Sequence, residues 1–400
     1  MTRHAVISGA GIAGPALAYQ LNSRGWRTTV VERYPERRDE GQNVDVRGAA
    51  REVARRMGID DAIRAANTGE IGMRFLDENG TPAVTFPMGA PGEADGPTAE
   101  LEILRGELSR IVIEKSRPGT QYRFDTQIDD LTDHGDHVTV DLSDGSSLDA
   151  DLVVIAEGLR SRSRRFVTPA TVNDLGMFFG YVTVPRAASD EPWWNWQQVP
   201  GSRSVHTRPD NLGTTRSILT FISDVRGLET LDTADQITIL KRTFADVGGD
   251  APRILDALDN GAPLYFSAVG QVSSPTWSKG RVALIGDAAF CNATFGGVGT
   301  SMALIGAYVL AGELAATDDI RIALTSYERF MREKLVDKTP PVQMSMLRRA
   351  NPRTSRGIRL LHTGARVVTS PAGKAISKLA GKRLVRVSAD DLVLPDYPNP

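Results

Sequence analysis

Six residues near the N-terminus have the types and spacing to hold a diphosphate. Gly9-Ala10-Gly11-Ile12-Ala13-Gly14 reads G-x-G-x-x-G. The first glycine permits a tight turn, the second lets the backbone approach a pyrophosphate, and the third lets a following helix pack closely on the preceding strand. A helix starting at Ile12 and Ala13 offers unpaired N–H groups and partial positive charge to the phosphates. Glu32 follows at the distance where a carboxylate accepts both hydroxyls of an adenosine ribose and repels a 2′-phosphate. Arg33, next in the chain, belongs to the same candidate binding set.

These residues work only on a strand–helix–strand unit. Residues 4–8 predict a buried strand, 12–24 a helix and 28–32 a second strand. Two short helices are expected within 47–66, and a hairpin over 75–86 with Asn79-Gly80 in its turn. Residues 87–98, rich in Gly and Pro, read as a linking loop. Leu101, Leu104, Leu108, Ile111 and Val112 predict a helix over 101–115. Strands are expected at 121–124, 137–142 and 151–155, with Asp144-Gly145 turning between the last two. Antiparallel strands follow over 177–222, helices at 235–246 and 253–260, a strand at 282–285 and a helix at 297–316. The order predicts an α/β chain: a Rossmann-type dinucleotide domain built from residues 1–70, 98–175 and 270–330, with an inserted β-rich substrate domain of 71–97 and 176–269. Residues 331–400 are expected to form C-terminal helices and a tail.

Two further segments carry a family resemblance. Residues 280–299, GRVALIGDAAFCNATFGGVG, resemble the G-D signature of the class A flavin monooxygenases, the aromatic hydroxylases that include p-hydroxybenzoate hydroxylase and the tetracycline-inactivating enzymes. Residues 151–164 resemble the family's second signature, with Gly158, Ser161 and Arg164 matching. The resemblance implies a Rossmann-type FAD-binding domain in which Asp287 holds the ribityl chain of FAD, and Gly296, Gly297, Val298 and Gly299 bring a helix N-terminus to the flavin. It also implies that Arg105 touches the flavin and its linker. The implied activity is hydroxylation of an aromatic or polyketide-like small molecule with NAD(P)H and O2, through a flavin C4a-hydroperoxide. This sequence departs from the pattern at Glu157 (Asp in the family), Phe290-Cys291 (His-Pro), Ala293-Thr294 (Pro-Pro) and Val298 (Gln). Alternatives on the same fold are a flavin-binding protein without turnover, an oxidase, a reductase or a halogenase. For the halogenase, Trp194 to Pro200 is one residue longer than the halogenase motif, and the first lysine is Lys115.

Aromatic residues give a candidate wall for a flat substrate: Phe179, Tyr181, Trp194, Trp196, Phe290 and Phe295. Core packing is the competing reading for the tryptophans. The one cysteine, Cys291, excludes an intrachain disulfide framework and a multi-cysteine metal site, and fits a reducing cytoplasm. A formal net charge of −2 gives no field for nucleic acid. The apolar run 302–316 contains Glu313 and falls short of the roughly 20 residues of a bilayer span. Monomer and homodimer both remain open. Between residues 348 and 386 there are eleven Arg or Lys and no Asp or Glu. Ile358, Leu361, Ala365 and Val368, and again Ile376, Leu379, Ala380, Leu384 and Val387, fall at helical spacing. Two amphipathic helices that brace the domains are expected, with an anionic membrane surface as the alternative partner.

Overall fold

The computed structural model describes residues 2–39, 41, 43–88, 101–293, 299–370 and 392–397. Its centre is a six-stranded sheet in the order Ser278–Lys279, Val282–Leu284, Leu152–Ile155, His4–Ser8, Arg27–Val31, Thr120–Arg123. All pairs are parallel except the first. His4–Ser8 is buried along its whole length, as a parallel strand covered on both faces must be. One cover is helix Ala13–Asn22. Against it packs Gly299–Ala316, a helix apolar on all sides and therefore a core helix. Among the described residues it is the one helix long and apolar enough to cross a membrane, and 72% of that span is buried inside the fold. This is the Rossmann-type arrangement expected from residues 4–32.

Two local expectations are corrected. Glu102–Leu104 is a strand paired antiparallel with Asn43–Asp45, and the helix begins only at Arg105, running Arg105–Ser116. Leu101, Ile103 and Leu104 are buried through strand pairing rather than on a helix face. Asp144-Gly145 turns Val138–Leu142 into Ser147–Ala150, which pairs back on it. The parallel strand Leu152–Ile155 comes afterwards. The polar strand Ile128–Asp133 completes that small antiparallel sheet.

The second large sheet has eight strands: Phe290–Asn292, Leu264–Ser273, Asn173–Pro185, Thr214–Ile222, Arg203–Pro209, Trp194–Val199, Gly72–Leu76 and Pro82–Pro87. Gly72–Leu76 and Pro82–Pro87 form the expected hairpin, and Gly72–Leu76 runs parallel to Trp194–Val199. Side chains alternate between two faces. Phe178, Val182, Leu219 and Phe221 face helices Thr233–Phe244 and Ala251–Asp259 and share a core with Leu240 and Phe244. Phe179, Tyr181 and Ile218 alternate with them and face the other way.

Beyond residue 331 the chain touches both sheets' neighbourhoods. Helix Ser355–Thr369 lies on the eight-stranded sheet, where His362 Nε2 and Gln198 Oε1 are 2.8 Å apart and Arg366 Nε donates to Ala83 O at 2.8 Å. Its buried line runs through Ile358 and His362; Val368, expected inside, is exposed. Residues 392–397 return to the parallel-sheet side: Tyr308 Oη donates to Pro395 O at 2.8 Å, and Tyr397 Oη to Glu313 Oε1 at 2.7 Å. The second expected amphipathic helix, 376–387, and most of the loop 87–98 lie outside the described residues.

Gly180 sits on the helix-facing side, where a Cβ would come 2.8 Å from Leu240 Cδ1. Leu240→Ala is expected to cost about 2–5 kcal/mol, because it leaves a cavity in a closed core. Gly180→Ala projects a methyl into that space, so urea unfolding should find the double variant clearly less destabilised than the sum of the singles. Strict additivity would show that the two positions do not share the cavity.

Candidate functional site

At the end of the first strand the chain turns through Gly9 at φ +111°, a conformation that side chains resist. A Cβ there would lie 2.5 Å from Ala156 O, and one at Gly14 would overlap the carbonyl oxygen of Gly9. Gly11 is open by contrast: its nearest neighbour would be Arg105 Nη2, 3.6 Å from an added Cβ. The helix that follows has Ile12 at its cap and no side-chain capping bond, so its first N–H groups are available to an anion. Ser109 Oγ donates to Gly11 O at 3.1 Å, tying the loop to helix Arg105–Ser116. Glu32 Oε2 accepts from Ala10 N at 2.8 Å and Oε1 from Tyr34 N at 3.2 Å, which fixes the carboxylate at the edge of the loop. Arg33 is not in this cluster. It is exposed, with its guanidinium 4.8 Å from the Tyr34 ring centroid.

Asp287 enters from the turn after strand Val282–Leu284. Burial pushes its pKa up, against the opposing charges of Arg105 and Arg164 and a hydrogen bond from the Cys291 thiol. A Cβ on Gly299, at the start of the core helix, would lie 3.6 Å from Asp287 Oδ1. Gly11, Arg105, Asp287 and Gly299 therefore converge on one place from four separate segments. Phe295, Gly297 and Val298 lie outside the described residues. Phe290 is half-buried against the core, on a short strand with Cys291 that sequence periodicity did not signal.

The second signature packs directly on the first. Glu157 accepts from Ser8 Oγ at 2.6 Å, Ser161 Oγ at 2.8 Å and Ser163 N at 3.0 Å. Burial pushes its pKa up, but the hydrogen bonds from Ser163, Ser8 and Ser161 win and hold it below the ordinary value. Arg164, buried, donates to Ala288 O at 2.8 Å and to Leu159 O at 2.7 Å, joining this loop to the Asp287 turn. Gly158, at φ +78°, allows the bend between them.

The candidate aromatic residues separate into two groups. Phe179 and Tyr181 meet edge to face at 5.6 Å, and Tyr181 stacks on Tyr265 at 5.7 Å. Burial holds the Tyr181 phenol well above its ordinary pKa, with the Tyr265 hydroxyl adding to the rise and nearby Arg105 opposing it. Tyr181 and Tyr265 line a cavity of about 310 Å³ that also touches Gly41, whose own Cβ would contact Arg105 at 3.3 Å. This cavity thus adjoins the place where Arg105 and Asp287 meet. Tyr265 was missed because no strand was expected over 264–273. Trp194 and Trp196 lie elsewhere, stacked at 5.9 Å, with Trp196 4.7 Å from His206 and 5.4 Å from Phe75. Phe75 in turn stacks on His362 of the C-terminal helix. Trp194 Nε1 can only donate, so His206 Nδ1 accepts, and Nε2 carries the proton toward Ser204 Oγ. Burial pushes His206 down to about 3, so it stays neutral. Among the described residues no group of three His, Cys, Asp or Glu side chains is placed to hold a metal.

A depressed carboxylate such as Glu157 stabilises the fold above its unfolded pKa, and that contribution disappears as pH falls through the lower folded value. Glu157→Gln is therefore expected to lower Tm at pH 7 and to shrink the difference between Tm at pH 7 and in acid below its ordinary value near 4.5. An unchanged difference in thermal melts would assign the acid sensitivity to other groups.

Residues 2–319 match the model of a family described as "FAD binding domain". A flavin-dependent monooxygenase from a Phoma species is 35% identical, over 98% of this chain and 97% of that protein. The solved tetracycline destructase Tet(51) superposes with a TM-score of 0.78 at 26% identity, covering 99% of this chain and all of the other. Klebsiella pneumoniae HpxO, solved with FAD and uric acid, shares the fold at a TM-score of 0.75 and 21% identity, with 95% and 96% covered. The glycine cradle, the uncapped helix and the paired signature loops fit the cofactor of these relatives. The chain belongs to the FAD-binding family of class A flavin-dependent monooxygenases.

Proposed function

We propose that the protein uses NAD(P)H and O2 to hydroxylate an aromatic or polyketide-like small molecule in the cavity beside Tyr181. The observation that carries this reading is the convergence of Gly11, Arg105 and Asp287 next to a cavity walled by Tyr181 and Tyr265. Bound FAD would supply the redox chemistry, taking electrons from NAD(P)H and delivering one oxygen atom of O2 to the substrate. In this reading Gly9, Gly11 and Gly14, with the N–H groups of Ile12 and Ala13, hold the pyrophosphate. Glu32 accepts from the ribose hydroxyls, and Arg33, outside that cluster, makes no side-chain contact with it. Asp287 accepts from the ribityl chain, and Arg105, at the start of its helix, and Gly158, in the second signature loop, hold the cofactor from either side. Gly299 begins the core helix, whose positive end would stabilise negative charge on the ring, and Gly297 and Val298 belong to the same proposed binding set. Phe179 and Tyr181 present an apolar wall that excludes water. Residues 1–70, 98–175 and 270–330 form the cofactor domain, 71–97 and 176–269 the substrate domain, and 331–400 the brace.

Gly11→Leu is expected to yield colourless protein, because its side chain enters the space left for the pyrophosphate. Full flavin absorbance in that variant would remove residues 9–14 from the site. Asp287→Ala, which loses a charge-assisted hydrogen bond worth roughly 1.5–3 kcal/mol, should raise the Kd for FAD by about tenfold or more. Stopped-flow mixing of the yellow wild type with NADH or NADPH and a panel of phenols tests turnover. Substrate-stimulated consumption with a hydroxylated product is the expected result. A yellow protein that consumes neither nucleotide with any of them is a flavin binder without turnover.

A further inference from the structure

Helix Ser355–Thr369 carries two apolar lines, and the packing of the fold uses one of them. The inner line runs through Ile358, Leu361, His362 and Ala365, all buried or half-buried. Three bonds stop the helix from rolling about this line. Thr354 Oγ1 accepts from Gly357 N at the first turn, His362 is held to Gln198, and Arg366 Nε is tied to Ala83 O. What the helix shows to solvent is therefore fixed. Its outward face presents Leu360, Gly364, Val367 and Val368 at i, i+4, i+7 and i+8, with Leu360 74% and Val367 63% exposed. A single exposed leucine is ordinary, but apolar positions at this spacing form a stripe. A Cβ on Gly364 would meet no neighbouring atom within 4 Å, so open space lies over the middle of the stripe.

The same stretch is basic without compensation. Between Lys338 and Ala389 the sequence has no Asp or Glu. Arg348, Arg349, Arg353, Arg356 and Arg359 are exposed, and none of their side chains makes a hydrogen bond or ion pair among the described residues. Other surface helices differ: Arg55 and Arg56 close on Glu52, and Arg110 on Glu107 and Glu114. By helical rotation Arg356 shares the outward face with Leu360, and Arg359 and Arg366 flank it on one side. Asp77 and Glu78, in the hairpin turn, approach the helix at His362 and Ser355, on the packed side.

Charge and apolarity together select the partner. A second copy of this helix would set arginines against arginines. A nucleic acid would pair with the arginines and leave Leu360 and Val367 in water. An anionic bilayer takes both, because the acyl region receives the stripe while the long arginine stems reach back to lipid phosphates. We propose that the outward face of helix Ser355–Thr369 docks the protein on an anionic membrane surface, the helix lying in the plane of the headgroups. The inner face keeps its contacts with the eight-stranded sheet, so bracing and docking use opposite sides of one helix. Docking is independent of the reaction assigned to the cavity beside Tyr181.

The test is co-sedimentation of the FAD-loaded full chain with vesicles of equal parts phosphatidylglycerol and phosphatidylcholine, and with vesicles of phosphatidylcholine alone. Wild type is expected to partition roughly tenfold or more strongly onto the anionic vesicles, and less strongly as salt is raised. Leu360→Gln with Val367→Gln removes the stripe without adding charge and should lower that partition about tenfold. Arg356→Gln with Arg359→Gln should lower it by a similar factor, about tenfold or more. Both pairs face solvent, so thermal melts and sedimentation velocity are expected to give the melting temperature and oligomeric state of wild type. Equal partition onto the two kinds of vesicle, or none onto either, overturns the proposal. So does unchanged partition in either double variant. A clear fall in melting temperature of the Leu360 and Val367 variant would show that the chain itself covers the stripe, and conversion of a dimer to a monomer would show that a second copy does; either result overturns lipid as the occupant.

Discussion

The carbonyl oxygen of Gly9 occupies the place where residue 14 would carry its Cβ, and Ala156 O crowds Gly9 in the same way. Strand, helix and second signature loop meet there at backbone-to-backbone distance, which only glycine allows. The rest of the site depends on this contact. It brings the helix start to the strand end with its N–H groups unspent, and it sets residues 156–164 beside the loop. Glu157 can then reach Ser8, and Arg164 can reach the Asp287 turn. A wider turn would separate the two signatures and leave Arg164, a buried cation, without its carbonyl partners, at a cost of several kcal/mol.

The eight-stranded sheet applies period-two alternation to a different end. One face is an ordinary apolar core against two helices, dominated by Phe178, Leu219, Phe221, Leu240 and Phe244. The opposite face mixes Tyr, Trp, His and Arg, and its polar groups are satisfied mostly by one another. Such a face costs stability wherever a partner is missing. Its neutral His206, packed against both Trp194 and Trp196, and its anchored arginines make it rigid. A rigid polar wall beside the cofactor site is the arrangement a small aromatic ligand needs if it is to be held in a single orientation.

How far the sequence could be read follows from which signals are local. Residues 4–32 were legible because the strand, the glycines and Glu32 act within one short unit. Asp287 and Arg164 were legible through their signatures. Strand Glu102–Leu104 was not, because its partner Asn43–Asp45 lies some sixty residues away and Leu101, Leu104 and Leu108 imitate helical spacing. Leu264–Ser273 was overlooked for a similar reason: its pairing with Asn173–Pro185 is non-local, and so Tyr265 went unnoticed. The tryptophans were expected either in a substrate wall or in packing, and their neighbours His206, Phe75 and His362 come from three distant segments. The Arg208–Glu70–Glu102 cluster joins residues more than a hundred positions apart and leaves no mark on any window of sequence.

The order of the six-stranded sheet has a consequence for biosynthesis. The strand made first, His4–Ser8, lies in the interior of the sheet, and its neighbour Leu152–Ile155 must in turn wait for Val282–Leu284. At roughly 5–20 residues per second, the ribosome needs on the order of tens of seconds between the first and last of these strands. Through that interval first His4–Ser8 and then Leu152–Ile155, neither carrying an acidic side chain, lysine or arginine and both buried in the finished protein, has one open edge. The nascent chain therefore passes through a long window with one interior edge unpaired, and the segments around Asp287 and Gly299 join the glycine loop only after most of the polypeptide has been made.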